Sequence, residues 1–283
     1  TTSTLSDLCD LIDTLPLRET AQFPAAMATR PRGALLSLVT AGSRLRPVPP
    51  ARAGVSTGFV PCTFEALAEP APIAEQVGHY LPYRPSRILI PDAADHPTPL
   101  VESVAMGSIT APIPTQVPLL PSGVIAKGLL SSAQAETLIY AANAHARDLP
   151  GRFAPEDKGC ILKPSAEGHA YRMGYFLGDG TGAGKGRQVA SVILDRWVRG
   201  EKRHIWISKN EALLEDARRD WLALGGLPID IQPLGQWKLG TKVSMREGIL
   251  FVTYPTLRSG RSDATRLDQI IEWAGEHFDG LIV

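Results

Sequence analysis

The sequence predicts an α/β fold: a parallel sheet with helices on both faces, preceded by a proline-rich, largely irregular N-terminal arm. Three observations carry this. After residue 128, short apolar runs alternate with amphipathic segments, which is the pattern of successive βαβ units. A glycine-rich stretch, Gly178-Asp179-Gly180-Thr181-Gly182-Ala183-Gly184-Lys185-Gly186-Arg187-Gln188, separates one such run from the next helix. Composition is also split: residues 1–128 hold 18 of the 24 prolines and no tryptophan, while all five tryptophans follow the glycine stretch. The chain is therefore divided into an arm over 1–128 and a compact domain over 129–283.

Bulk properties narrow the classes. The chain has 283 residues, enough for one large domain or two small ones. Lys plus Arg equals Asp plus Glu at 29 each, so any nucleic-acid surface must be local. Cys9, Cys62 and Cys160 have no metal-ligand spacing, and a reduced cytoplasmic interior is the simplest reading. No run of 18 apolar residues and no signal peptide is present, so no membrane span is expected.

Taken in order, Leu5, Leu8, Leu11, Ile12 and Leu15 predict a helix over 4–15 with Thr4 as its cap. Residues 16–60, with Arg30, Arg32, Arg44, Arg46 and Arg52, read as a solvated linker; a phosphate-contacting arm is the alternative. Ile88–Ile90 is a strand that Pro91 ends. His96 lies among loop residues without a partner ligand, so a turn histidine is expected rather than a metal ligand. A helix starts near Ser131, where Ser131 and Gln134 form an S-x-x-Q capping box and Leu138, Ile139 and Ala142 make the buried stripe. Residues 150–173 read as a surface hairpin or insertion.

Tyr175-Phe176-Leu177 reads as a strand running into the glycine stretch, and Val189, Val192, Ile193 and Trp197 mark the helix after it. His204–Ser208 and Gly248–Thr253 are continuous apolar runs, as in strands covered on both faces. Between them lie a helix over 210–224, with Leu213, Ala217, Trp221 and Leu224 in register, and a strand over 229–232. Leu267, Ile270, Ile271 and Ala274 mark the last helix, and 278–283 the last strand.

Strand, glycines, lysine, helix is the layout of a phosphate-binding loop. Glycines let backbone N–H groups approach phosphate oxygens, the helix N-terminus favours the anion, and a lysine supplies a point charge. The match to G-x-x-x-x-G-K-[ST] is partial: Asp179 stands at the first glycine, and Gly186 stands where a hydroxyl normally ligates Mg²⁺. Two other readings stay open. Gly178-x-Gly180-x-x-Ala183 fits a dinucleotide turn, and a glycine-rich turn also serves tight strand–helix packing.

Phe176–Gln188, together with Ile205-Trp-Ile-Ser-Lys209, Glu215-Asp-Ala-Arg-Arg-Asp-Trp221 and Phe251-Val-Thr-Tyr254, resembles the strawberry notch family of superfamily 2 helicase-like ATPases. Tyr83–Arg87 and Thr98–Ser103 are similar to what precedes the ATPase core in its bacterial and phage members, some of which carry a methyltransferase domain upstream. The family's own loop reads G-D-G-x-G-x-G-K-G-R, so Gly186 follows its pattern. The resemblance implies a first RecA-like lobe over 129–283, in a cytoplasmic protein of bacterial or phage origin.

It also implies roles. Thr181, Gly182, Ala183, Gly184, Lys185, Gly186 and Arg187 would hold ATP phosphates. Gln134 falls where such helicases read adenine; its alternative is the capping box. Ser208, Lys209 and Thr253 match positions that touch a nucleic-acid backbone; ordinary strand-end chemistry is the alternative. No catalytic residue is assigned, because the Asp-Glu-Ala-His motif is expected after Val283, and the arginine finger in a second RecA-like lobe. ATP and Mg²⁺ are the implied cofactors, with the metal ligands unassigned. DNA is the implied partner, with RNA as the alternative. The chain by itself is expected to be inactive. Two further function classes remain: a non-hydrolysing P-loop interaction module, and a dinucleotide- or S-adenosylmethionine-binding domain, for which Glu211 is the only acid near the second strand's end.

Overall fold

The computed structural model describes residues 58–68, 79–156, 161–261 and 264–283. The expected helix over 4–15, Cys9, Cys160 and the arginines from Arg30 to Arg52 lie outside the described residues. Seven short elements come first: β1 (Phe59–Pro61), β2 (Glu65–Ala66), β3 (Tyr80–Pro82), β4 (Ile88–Leu89), β5 (Val101–Ser103), α1 (Val104–Gly107) and β6 (Leu119–Pro121). Then follow α2 (Ser132–His145), β7 (Phe153–Pro155), β8 (Leu162–Pro164), α3 (Lys185–Val198), β9 (Arg203–Ser208) and α4 (Leu213–Ala223). The last are β10 (Ile231–Pro233), β11 (Gly248–Thr253), α5 (Tyr254–Leu257), β12 (Gly260–Arg261), β13 (Ala264–Thr265) and α6 (Arg266–Ala274).

The central sheet runs β10-β11-β9, and both pairings are parallel. Residues 281–283 extend it in parallel on the far side of β9. There Ile205 N–H donates to Leu281 O at 2.9 Å and Val283 N–H donates to Ile205 O at 2.9 Å. Every residue of β11 is buried, and its side chains alternate between two cores. Ile249 and Phe251 pack with α2, α3 and α4; Leu250 and Val252 pack with Ile270, Trp273 and Ala274 of α6. This is why the run reads as continuously apolar: each face has its own helical cover.

Helices α2 and α6 begin where local chemistry starts them. Ser131 and Gln134 close a reciprocal capping box on α2, and Thr265 and Asp268 do the same on α6. Three expectations shift, the first being that the strand expected over 278–283 narrows to an isolated bridge at Ile282. Ile229 does not enter a strand: Pro228–Asp230 is a 3₁₀ turn, fixed by Asp230, whose carboxylate accepts from Trp221 Nε1 and from Leu227 N–H, each at 2.8 Å. Tyr175–Leu177 forms no strand; Phe176 is 74% exposed and the segment pairs with no described strand. An apolar triplet reports local hydrophobicity, whereas a strand also needs a neighbour to complete its ladder.

The N-terminal elements form two-stranded antiparallel pairs, β1–β6, β2–β4 and β3–β5, and no described strand there exceeds three residues. They are tied to the glycine-loop helix. Cys62, Ile88, Ile90, Leu120, Val124 and Leu130 share one core with Leu138, Ile193 and Trp221. Asp195 on α3 accepts from Leu119 N–H at 2.7 Å and from Arg199 Nε at 2.9 Å. The core is therefore continuous across position 128.

His204 on β9 is fully buried. Its ring stacks on Trp197 at 6.2 Å, Leu281 N–H donates to Nδ1 at 3.1 Å, and Nε2 donates to Glu201 O at 2.8 Å. Burial pushes its pKa down to about 3. The unfolded chain binds a proton below about pH 6.5 and the folded ring does not, so this group lowers stability as pH falls from about 6.5 toward 3. The slope reaches at most about 1.4 kcal/mol per pH unit. Imidazole nitrogen NMR at pH 5 is expected to show a neutral ring with the proton on Nε2; an imidazolium spectrum in the folded protein would contradict the assignment.

Candidate nucleotide-binding site

The glycine loop lies at the carboxyl edge of the sheet. α3 has 14 residues, about 21 Å of helix, and β9 has 6, about 20 Å of strand. They run in opposite directions through the turn at 199–202, which returns the helix start to the level of Ser208. Ligands of open parallel sheets bind at this edge.

Two glycines are required by backbone conformation. Gly182 has φ 92° and Gly184, the N-cap of α3, has φ 73°, a region costly for residues with a Cβ. Gly184 is also hemmed in, since an added Cβ would collide with Gln134 Nε2. Gly180 has open space around it. The first N–H groups of α3 have no helical acceptors of their own, and they sit at the positive end of the helix dipole.

Lys185 folds back over this loop. Its Nζ donates to Asp179 O at 2.8 Å and to Gly180 O at 2.7 Å. The ammonium is thus held at the loop's mouth by neutral carbonyls, which an anionic phosphate outcompetes by charge. Two glutamines brace the loop from beneath. Gln134 Nε2 donates to Ala183 O at 3.2 Å, and Gln188 Nε2 donates to the same carbonyl at 3.0 Å and to Asp179 Oδ2 at 2.9 Å. Gln134 Oε1 meanwhile accepts from Ser131 N–H at 3.0 Å. Both halves of its amide are in use, joining the α2 cap to the loop.

Arg187 is turned to the protein. Its Nε reaches Asp220 Oδ1 at 3.3 Å and its Nη1 donates to Leu129 O at 3.0 Å. Thr181 is exposed in the turn, and Ala183 is buried under it. Ser208 and Thr253 are paired neighbours at the ends of β9 and β11, and Lys209 beside them is exposed. Thr253 is 5% exposed and caps α5: its Oγ1 accepts from Thr256 N–H at 3.3 Å. His96 is a turn histidine whose Nδ1 lies 2.8 Å from Thr98 O. Among the described residues no cluster of three or more His, Cys, Asp or Glu is arranged to hold a metal.

A carboxylate behind the loop was not marked by the sequence reading. Glu136, on the α2 turn after Gln134, accepts from Tyr83 Oη, and its pKa is pushed up to about 7. Burial is the main cause, with Glu102 and Asp179 adding repulsion while the Tyr83 hydrogen bond opposes it. Gln188 was also unassigned. Gln188, Ser191 and Asp195 form a polar row at i, i+3 and i+7 on the buried side of α3, and that row is the signal that marks Gln188. Asp220 gives no comparable signal, since it meets the loop from another helix.

A parallel sheet, a glycine loop opening a helix and a lysine at the helix start define a P-loop NTPase. The family described as P-loop containing NTP hydrolase pore-1 matches residues 95–283, and the chain belongs to it. Its relatives include strawberry notch proteins: the chain is 36% identical to protein strawberry notch homolog 2 of Homo sapiens over 74% of its own length. Identity is 34% with protein strawberry notch homolog 1 of Gallus gallus, over 74% of the chain, and 34% with protein FORGETTER 1 of Arabidopsis thaliana, over 72%. The chain spans only 14%, 16% and 15% of these three relatives. No solved structure matches it. No described helix is long and apolar enough to cross a membrane.

Proposed function

We propose that this chain is the nucleotide-binding half of a DNA helicase- or translocase-type ATPase, which couples ATP hydrolysis to action on DNA within a longer polypeptide. The observation that carries the reading is Lys185: an ammonium held, among the described residues, by two loop carbonyls at a helix N-terminus, in a P-loop NTP hydrolase domain. In this reading the N–H groups of Gly182 to Gly186 receive phosphate oxygens, and Lys185 exchanges the Asp179 and Gly180 carbonyls for the outer phosphates. Gln134 and Gln188 keep the loop open by holding Ala183 O. Gln134 reaches adenine only by giving up a contact, so its main role is bracing. Mg²⁺, when bound, neutralises charge on the outer phosphates. Ser208, Lys209 and Thr253 offer the nucleic-acid contact at the same sheet edge, with a second RecA-like lobe, and in some members a methyltransferase domain, elsewhere in the polypeptide. A reducing, cytoplasmic setting for a bacterial or phage-encoded protein completes the reading.

The test is phosphate release by a protein extended past Val283, with and without DNA. Turnover stimulated by DNA is expected. ATP binding without turnover would support the non-hydrolysing interaction module instead. No ATP binding would refute both.

A further inference from the structure

Gly186 stands where the general G-x-x-x-x-G-K-[ST] loop carries a hydroxyl, and the structure shows what fills that space. A Cβ built on Gly186 would collide with Asp220 Oδ2, from the middle of α4. A carboxylate oxygen thus occupies the place where a serine or threonine side chain would start. Asp220 is held there. Its Oδ1 takes Arg187 Nε at 3.3 Å, and its side chain is only 14% exposed. Its Oδ2 is paired loosely with Arg219 Nη2 at 3.8 Å, an ionic contact beyond hydrogen-bond reach.

We propose that Asp220 replaces the missing hydroxyl, its Oδ2 serving as the protein's ligand to the nucleotide-bound divalent cation. This rests on the nucleotide reading of the loop. The chemistry favours the exchange: Mg²⁺ prefers hard oxygen ligands, and one or two carboxylates plus phosphate oxygens and water are its usual set. The fit is mutual. A serine at 186 would require Asp220 Oδ2 to shift, and Oδ2 in its present place needs glycine at 186. Arg187 then has a positioning role: it fixes the carboxylate from the same helix turn that presents Lys185.

Four forms of the full chain test this: wild type, Asp220→Asn, Gly186→Ser, and the double variant Asp220→Ala with Gly186→Ser. ATP affinity is measured by calorimetry in EDTA and in Mg²⁺, and Mn²⁺ electron paramagnetic resonance in the presence of ATP reports the metal directly. The quantity read is the ratio of the two affinities. Wild type is expected to bind ATP more tightly with Mg²⁺. Asp220→Asn, which keeps the shape and the acceptor for Arg187, is expected to lose about tenfold or more of that ratio. Gly186→Ser should lose it too, and the double variant should regain most of it, since a hydroxyl then has room. Thermal unfolding of each form shows that it is folded. Asp220→Asn retaining the wild-type ratio and Mn²⁺ spectrum would overturn the proposal and leave the nucleotide reading standing. Wild-type failure to bind ATP in either buffer would overturn both.

Discussion

Lys185→Ala, in a polypeptide that extends past Val283, is expected to lower ATP hydrolysis by about 10³-fold or more, about 4 kcal/mol of barrier. Phosphoryl transfer spreads negative charge over the transferred oxygens, and catalysis is almost entirely positioning plus electrostatic stabilisation. Here the ammonium of Lys185 sits at the loop mouth, held by Asp179 O and Gly180 O. Alanine deletes that charge and leaves the glycine conformations intact, because their φ values belong to Gly182 and Gly184. The variant should therefore fold as wild type does. A phosphate-release assay decides it, and undiminished turnover by the variant would remove Lys185 from the chemistry.

Gly184→Ala is expected to have the second-largest effect, on stability and on nucleotide binding together. Two costs add. A non-glycine residue at φ 73° costs about 1–2 kcal/mol. The new Cβ also meets Gln134 Nε2, so the amide must leave Ala183 O, and an unsatisfied buried group costs about 1–3 kcal/mol. Denaturant unfolding should show a loss of about 2–5 kcal/mol, the sum of those ranges. Gly180→Ala is the internal control, because an added Cβ there meets open space. A loss at Gly184 exceeding that at Gly180 by no more than the φ cost of about 1–2 kcal/mol would show that the bracing by Gln134 contributes nothing.

What the sequence made legible follows from how local each signal is. The capping box of Ser131 and Gln134 spans one helical turn, so it could be read directly, and α2 starts there. The run that became β11 is buried throughout and that of β9 is buried or half-buried, and a continuous apolar run is their mark. The glycine loop reads clearly because phosphate binding demands glycine and lysine at close spacing. Tyr175–Leu177 shows the limit: the same apolar signal gave no strand, because pairing is a property of neighbours.

The site was half visible for the same reason. Gln134 had two readings from its position, and the structure shows the capping contact and the loop contact on one amide. Thr253 was read as a nucleic-acid contact with strand-end chemistry as the alternative, and its hydroxyl caps α5. Asp220 and Glu136 reach the loop region through the packing of α4 and α2, and no spacing in the sequence announces such contacts. Gly186 could be seen as a departure from the usual loop, but its reason lies 34 positions along the chain, the difference between 220 and 186.

The central claim is that the loop from Gly178 to Arg187 receives the nucleotide's phosphates. A structure of the chain bound to a non-hydrolysable ATP analogue tests it most directly. The account predicts the phosphates on the N–H groups of Gly182 to Gly186, with Lys185 Nζ moved from the Asp179 and Gly180 carbonyls onto the outer phosphates. An analogue seated elsewhere, with Lys185 still on those carbonyls, would contradict it.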